Sequence, residues 1–204
     1  MWTIATTVHN RTQLFGNALA SWIKHKPADA ALVVVDWDGH TYPRTTTLHL
    51  QGMFSLGQSR NVALQACTTE LFVWLDADML IPTSFFPTLL TPLKQGKACF
   101  PMYDIQEENG TCRFVGKGWG NCAFPTKAVQ GRWEENTRWG GEDTAFKNSL
   151  KIPIWREHIK GFVHQWHTRK GSAWYESEKL QAYVKEMKEP WVLQSTRQKD
   201  GQYN

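Results

Sequence analysis

Long apolar runs are missing from the 204 residues. No stretch of about 18 consecutive apolar side chains occurs, which argues against a helical membrane span. No basic, apolar, small-residue leader opens the chain, so no secretory signal is expected. The expected compartment is cytoplasmic, for a soluble protein of a cell or of a virus in its host. Cysteine is scarce. Cys67, Cys99, Cys112 and Cys122 are too few for a disulfide framework in a chain this long, and none forms the C-x-x-C pair of a structural zinc site. Internal repeats, low-complexity segments and linkers are also absent, and the charge excess is only +4.

What is present is a core-forming composition. With 41% hydrophobic residues the length suits one domain over 1–204 and is too short for two ordinary ones. Eleven Trp and 13% aromatics exceed what such a core needs, and flat aromatic faces stack sugars and bases. Each Trp taken alone is as readily a core residue. Residues 1–150 carry 13 Lys and Arg against 13 Asp and Glu, whereas 151–204 carry 10 against 6. The positive excess is therefore C-terminal, a solvated surface or an approach for phosphates.

Thr3 to Val8 is β-branched and strand-like, and Leu14, Phe15, Ala18, Leu19, Trp22 and Ile23 follow at helical spacing. Ala31 to Val35 is a continuous apolar run, as in a buried parallel strand, and ends in Asp36-Trp37-Asp38-Gly39. After a helix expected over 58–66, Leu71 to Leu75 repeats the pattern and ends in Asp76-Ala77-Asp78. Alternating strands and helices predict an α/β fold with a mixed, mainly parallel sheet flanked by helices. Such sheets bind ligands beyond the carboxyl ends of their strands, where these acids lie. One helix is expected within 82–97, strands over 98–103 and 112–115 around the turn at 107–110, glycine loops at 116–120 and 138–141, and helices over 142–150 and 176–188.

Two acids at i and i+2 point to opposite faces of a strand, but at its frayed end both can turn to one site and hold a metal. The bland alternative is a solvated turn. His164 and His167 lie close together, and imidazoles with a carboxylate can bind a divalent ion, although single histidines more often pack or face solvent.

Taken in order, these residues resemble the GT-A fold nucleotide-sugar glycosyltransferases. The likeness runs from about Thr3 to Arg169 and extends to the β-1,4-galactosyltransferase and polypeptide N-acetylgalactosaminyltransferase catalytic domains and to family 2-like enzymes. Thr7-Val8-His9-Asn10-Arg11 resembles the first-strand element that contacts the nucleotide. Val34-Val35-Asp36-Trp37-Asp38-Gly39 is similar to the element whose first Asp reads uracil. Gly57-Gln58-Ser59-Arg60-Asn61 is similar to a stretch whose Arg lies near the nucleotide. Asp76-Ala77-Asp78 resembles the metal-binding D-x-D. Trp139-Gly140-Gly141-Glu142-Asp143 matches the W-G-G-E-D acceptor and catalytic motif, preceded by the loop Gly118-Trp119-Gly120.

The resemblance implies a donor half over 1–82, an acceptor and catalytic half over 98–170 and a helical extension over 171–204. It implies a UDP-sugar donor and Mn²⁺ or Mg²⁺ on Asp78 and a late histidine. His167 is favoured, while His164 stands where the galactosyltransferases have a Met ligand. Asp143 is implied as general base and Glu142 as a partner of sugar hydroxyls. Retaining relatives tend to have Asn after the Glu, so Asp143 points to inversion; the usual following acid is Thr144 here. The acceptor expected is a carbohydrate, with hydroxymethylated DNA bases as an alternative, and a catalytically silent nucleotide- or sugar-binding module is the reading from another class.

Overall fold

The computed structural model describes residues 1–129, 132–135 and 141–167. In chain order the strands are β1 (Trp2–Val8), β2 (Ala30–Asp36), β3 (Thr46–His49), β4 (Leu71–Trp74), β5 (Met79–Leu80), β6 (Ala98–Cys99), β7 (Met102–Gln106), β8 (Cys112–Gly116), β9 (Cys122–Pro125), β10 (Ile154–Trp155) and β11 (His158–His164). The helices are α1 (Thr12–His25), α2 (Leu56–Gln65), α3 (Phe85–Lys94) and α4 (Glu142–Ser149).

A seven-stranded sheet runs in the order β10-β6-β9-β4-β1-β2-β3. β4, β1, β2 and β3 are parallel neighbours, while β9 runs antiparallel to both β4 and β6. A smaller sheet has the order β5-β11-β7-β8. This is the mixed, mainly parallel α/β arrangement that the alternating pattern predicts.

Burial on both faces explains the unbroken apolar strands. Val34 and Val73 pack with Phe15, Leu19 and Trp22 of α1 and Phe85 and Leu89 of α3. Val33, Val35, Phe72 and Trp74 face the other way, toward Leu56 and Ala63 of α2 and Phe146 of α4. Two of the helix ends have a local reason. Lys26 is extended ahead of Pro27 and ends α1. The Ser55 hydroxyl accepts from Gln58 N at 3.2 Å and caps α2.

The strand expected over 98–103 is two strands in two sheets. Pro101 has no N–H for a ladder, so the chain leaves the large sheet after β6 and joins the small one at β7. The helix expected over 176–188 lies outside the described residues.

Segment 132–135 is bound edge-on to α2. Asn61 Nδ2 donates to Trp133 O at 2.9 Å and to Glu135 Oε1 at 2.7 Å, and Trp133 N donates to Asn61 Oδ1 at 3.0 Å. Gly57 makes this approach possible, because a Cβ there would stand 2.0 Å from Glu134 O. Gly57→Ala is therefore expected to destabilise the fold by about 1–3 kcal/mol, as overpacking against immovable backbone does. Thermal unfolding of the variant checks this, and an unchanged midpoint would show that the segment is not held there.

Candidate active site

The carboxyl ends of β1, β2 and β4 lie side by side. At β1 and β2 the Thr7 hydroxyl donates to Val35 O at 2.9 Å, and Trp37 N donates to Val8 O at 3.1 Å. Asp36 is fully buried. Its carboxylate accepts from the Tyr42 hydroxyl at 2.9 Å and from the backbone N–H groups of Asp38 at 3.1 Å and His40 at 2.8 Å. It thus organises the turn from within. Asp38 is the outward acid of this pair and accepts from Asn10 N at 2.7 Å, with His9 Nδ1 at 3.0 Å. The His9 ring stacks on Phe54 at 4.7 Å, and Trp37 meets Phe54 edge-on at 5.5 Å. These rings form an aromatic bank beside the β1 and β2 ends.

The second acidic pair follows β4. Asp78 is buried and faces both histidines, with His167 Nε2 at 3.2 Å and His164 Nε2 at 3.5 Å from its Oδ2. One ligand atom from each of Asp78, His164 and His167 falls within 4.8 Å of the others. Asp78 Oδ1 is buried without a hydrogen-bond partner among the described residues, which a cation would satisfy. One carboxylate with two imidazoles can hold a divalent ion. Burial alone would raise the Asp78 carboxyl, but the charges of His164, His167 and Arg11 overcome it and hold the group well below the usual carboxylate range.

Gln165 builds this cluster. Buried at the end of β11, its backbone N–H and its side-chain amide both donate to Asp78 O, at 2.9 and 3.2 Å. The amide also donates to Leu14 O at 3.1 Å, and its oxygen accepts from Asn17 at 3.1 Å. The β11–β5 pairing, with His164 opposite Met79, completes the alignment.

Arg60, on α2, is the centre of the other half. It is fully buried. Its guanidinium donates to Glu142 Oε1 at 3.2 Å and to Asp143 Oδ1, reaches Gly120 O at 3.4 Å, and stands 3.8 Å from Asp76 Oδ1. The rings of Trp74 and Trp133 lie 5.3 and 5.8 Å from it. Burial opposes its charge, but Asp143, Glu142 and Asp76 outweigh burial and keep it protonated. Asp76 is fixed from the far side by Asn121, whose Oδ1 accepts from Asp76 N at 2.8 Å and whose Nδ2 donates to Asp76 Oδ2 at 3.2 Å. The Asp76 carboxyl is pushed up to about 7, first by burial, against the pull of Arg60, and further by Asp78 and Asp143. Its side chain keeps 36% of its surface exposed, so solvent tempers the burial effect.

Gly120 joins the two halves. A Cβ there would lie 3.0 Å from Asp76 Oδ2 and 3.3 Å from Asp143 Oδ2, so any side chain would fill the point that both carboxylates face. Asp143 is 26% exposed and Glu142 only 1%. Gly141, in the left-handed region at φ 91°, starts α4 and sets both acids in its first turn, where the helix dipole favours them. Gly118 backs onto the Tyr103 hydroxyl. Trp119 meets Phe100 edge-on and has Arg156 3.6 Å from its ring centre. Ala77 is buried in the core. Trp139 and Gly140 lie outside the described residues.

The sequence profile of Glycosyl transferase family 2 matches residues 3–151. The chain belongs to this family. The match is to the family at large, not to the galactosyl- or N-acetylgalactosaminyltransferases in particular. No curated protein sequence matches it. Among solved structures, this family 2 glycosyltransferase superimposes on S. aureus TarS 1-349 in complex with UDP-GlcNAc, with a TM-score of 0.66, 14% identity, and coverage of 86% of this chain and 61% of that one. For the same fragment in complex with UDP the values are 0.59, 15%, 78% and 60%. The chain thus spans less than two thirds of the TarS fragment, and at these identities the likeness is one of fold. Among the described residues no helix is long and apolar enough to cross a membrane. Asn121, Gln165 and Tyr103 are the family 2 site's supports that sequence reasoning missed, since ordinary polar residues, even beside a motif, give no signal of their own.

Proposed function

We propose that this chain transfers a sugar from a UDP-sugar to an acceptor hydroxyl with inversion, using 1–82 for the donor and 98–170 for the acceptor. The observation that carries the reading is the meeting of Asp76 and Asp143 at Gly120, which brings a donor-side and an acceptor-side carboxylate to one point. The UDP and UDP-GlcNAc complexes of TarS support the choice of donor. His9, Phe54 and Trp37 offer stacking surface for the base, with Asp38 as the outward acceptor beside them. Thr7, Val8 and Asp36 hold the strand ends that frame this pocket, and Arg11 brings positive charge toward the diphosphate.

Asp78, His164 and His167 would hold a divalent ion, manganese or magnesium, which when bound offsets the charge that develops on the leaving diphosphate. The protein's own residues do the rest. Arg60 and Asn121 fix Asp76 for hydroxyls of the donor. Arg60 holds Asp143 Oδ1, leaving Oδ2 turned to the crevice, where it takes the acceptor proton as the new bond to the anomeric carbon forms and the bond to UDP breaks. Glu142, being closed off, serves by holding Arg60. Gly118, Trp119, Gly120 and Gly141 shape the acceptor side, with a carbohydrate the expected acceptor.

Calorimetric titration of UDP with and without Mn²⁺ tests the donor half. Binding is expected to strengthen with Mn²⁺ in the native protein and to lose that dependence in Asp78→Ala. Equal binding with and without the ion would remove metal from the reading, and no binding at all would remove UDP.

A further inference from the structure

Tyr103 stands between the proposed metal ligands and the glycine loop at 116–120. Its ring is inclined by only 25° to that of His164, with centres 6.0 Å apart, within the span of offset stacking. Its far end meets the loop, for a Cβ at Gly118 would lie 3.0 Å from the Tyr103 hydroxyl oxygen. The other surroundings leave the ring little room. Tyr103 pairs with Gly116 in the β7–β8 ladder, and the ring occupies the space that any side chain at 116 would need. Phe162, fully buried, meets it edge-on with centres 5.9 Å apart. The backbone is pinned as well, because the neighbouring Asp104 carboxylate accepts from Gly161 N at 2.8 Å and pairs with His158 Nε2 at 2.7 Å, which fastens β7 to β11. Close-packed groups transmit a displacement instead of absorbing it. A push on the hydroxyl from position 118 is therefore passed to the ring that His164 stacks on.

We propose that Tyr103 is a positioning residue that couples the glycine loop to the metal site: with glycine at 118 the ring stays where it backs His164, and a side chain at 118 drives it out of place. The inference rests on the reading that Asp78, His164 and His167 hold a divalent ion. It gives Gly118 a duty toward the donor half besides shaping the wall proposed for the acceptor. Groups that orient a metal-binding histidine from behind commonly change metal affinity by about 10- to 100-fold when altered.

The test is titration of Mn²⁺ alone into the full chain, followed by calorimetry and by the electron spin resonance signal of the free ion. Gly118→Ala is expected to weaken Mn²⁺ binding about tenfold. Tyr103→Phe keeps the stacked ring and is expected to bind the ion as the native protein does. The double variant, Tyr103→Phe with Gly118→Ala, leaves Cζ as the nearest ring atom, 4.0 Å from the added methyl, and is expected to recover most of the loss. Tyr103→Ala, which removes the backing ring, should weaken binding as Gly118→Ala does. Native Mn²⁺ affinity in Gly118→Ala, or a loss that the double variant does not recover, overturns the proposal. Failure of Mn²⁺ to bind the native protein ends the metal reading and this inference with it, whereas native binding without recovery in the double variant ends this inference alone.

Discussion

Arg60→Met is expected to lower the melting temperature by roughly 6–20 °C, from about 3–5 kcal/mol lost when one partner of a buried ion pair is removed and about 2–4 °C per kcal/mol for a chain of this size. The cause is what remains behind. Glu142 is 1% exposed and Asp143 26%, and both depend on the guanidinium, as Asp76 does more distantly. Met keeps the stem between Trp74 and Trp133, so the loss reports charge and not a cavity. The pH dependence separates these causes. Without Arg60 the Asp76 carboxyl, which burial raises and the guanidinium pulls down, rises further above its unfolded value, so the folded variant holds a proton that the unfolded chain releases. Its stability then falls as pH rises from about 4 through the raised value, and the deficit against the native protein is smallest in acid. Thermal melts at several pH values check this. A deficit independent of pH would show that packing, not charge, is what Arg60 contributes.

Asp143→Asn is expected to reduce kcat by about 10²- to 10⁴-fold, the range for a lost general base, while the affinity for UDP stays unchanged. Asparagine keeps the shape and can still meet the crevice, but it cannot accept the acceptor proton at neutral pH. Turnover of a UDP-sugar with an accepting glycan, alongside UDP calorimetry on the same variant, supplies both readouts. Undiminished turnover would remove Asp143 from proton transfer. A configuration-sensitive product assay on the native enzyme completes the test, since a product of retained configuration would end the inverting reading.

The central parallel strands β2 and β4 were legible because both their faces are buried, which writes an apolar run into Ala31 to Val35 and Leu71 to Leu75, whereas the half-exposed parallel strand β3 carries no such run and was not read. β9 was not, because Cys122–Pro125 is short and sits between Asn121 and a 3-10 turn without a pattern of its own. β11 was obscured by its exposed His158 and Lys160 and by a register shift between His158 and Val163. In the site, the strand-end acids and the paired histidines stood out by residue type. The sequence puts His167 first and His164 second as partners of Asp78, and the structure places both beside it. The pairing of Arg60 with Glu142 and Asp143 spans more than eighty positions of sequence and leaves no local trace. Asp36 carries a different lesson. Its position after a buried strand marks it as important, yet only the structure shows its carboxylate consumed by Tyr42 and the turn, with Asp38 facing outward.

The reversed course of β9 has a consequence for how this scaffold can change. Trp74 pairs with Cys122 and Leu71 with Pro125, so the end where β4 delivers Asp76 and Asp78 is the end where β9 begins. The segment just ahead of β9, Lys117 to Asn121, is thereby delivered to Asp76 and Asp78 by the ladder, whatever its length. Insertions or deletions upstream of Asn121 would remodel the wall proposed for the acceptor while the hydrogen-bonded rungs hold the two acids still. The sheet would work as a fixed socket into which different segments can be spliced, and a change of specificity would need no redesign of the half proposed to bind the nucleotide.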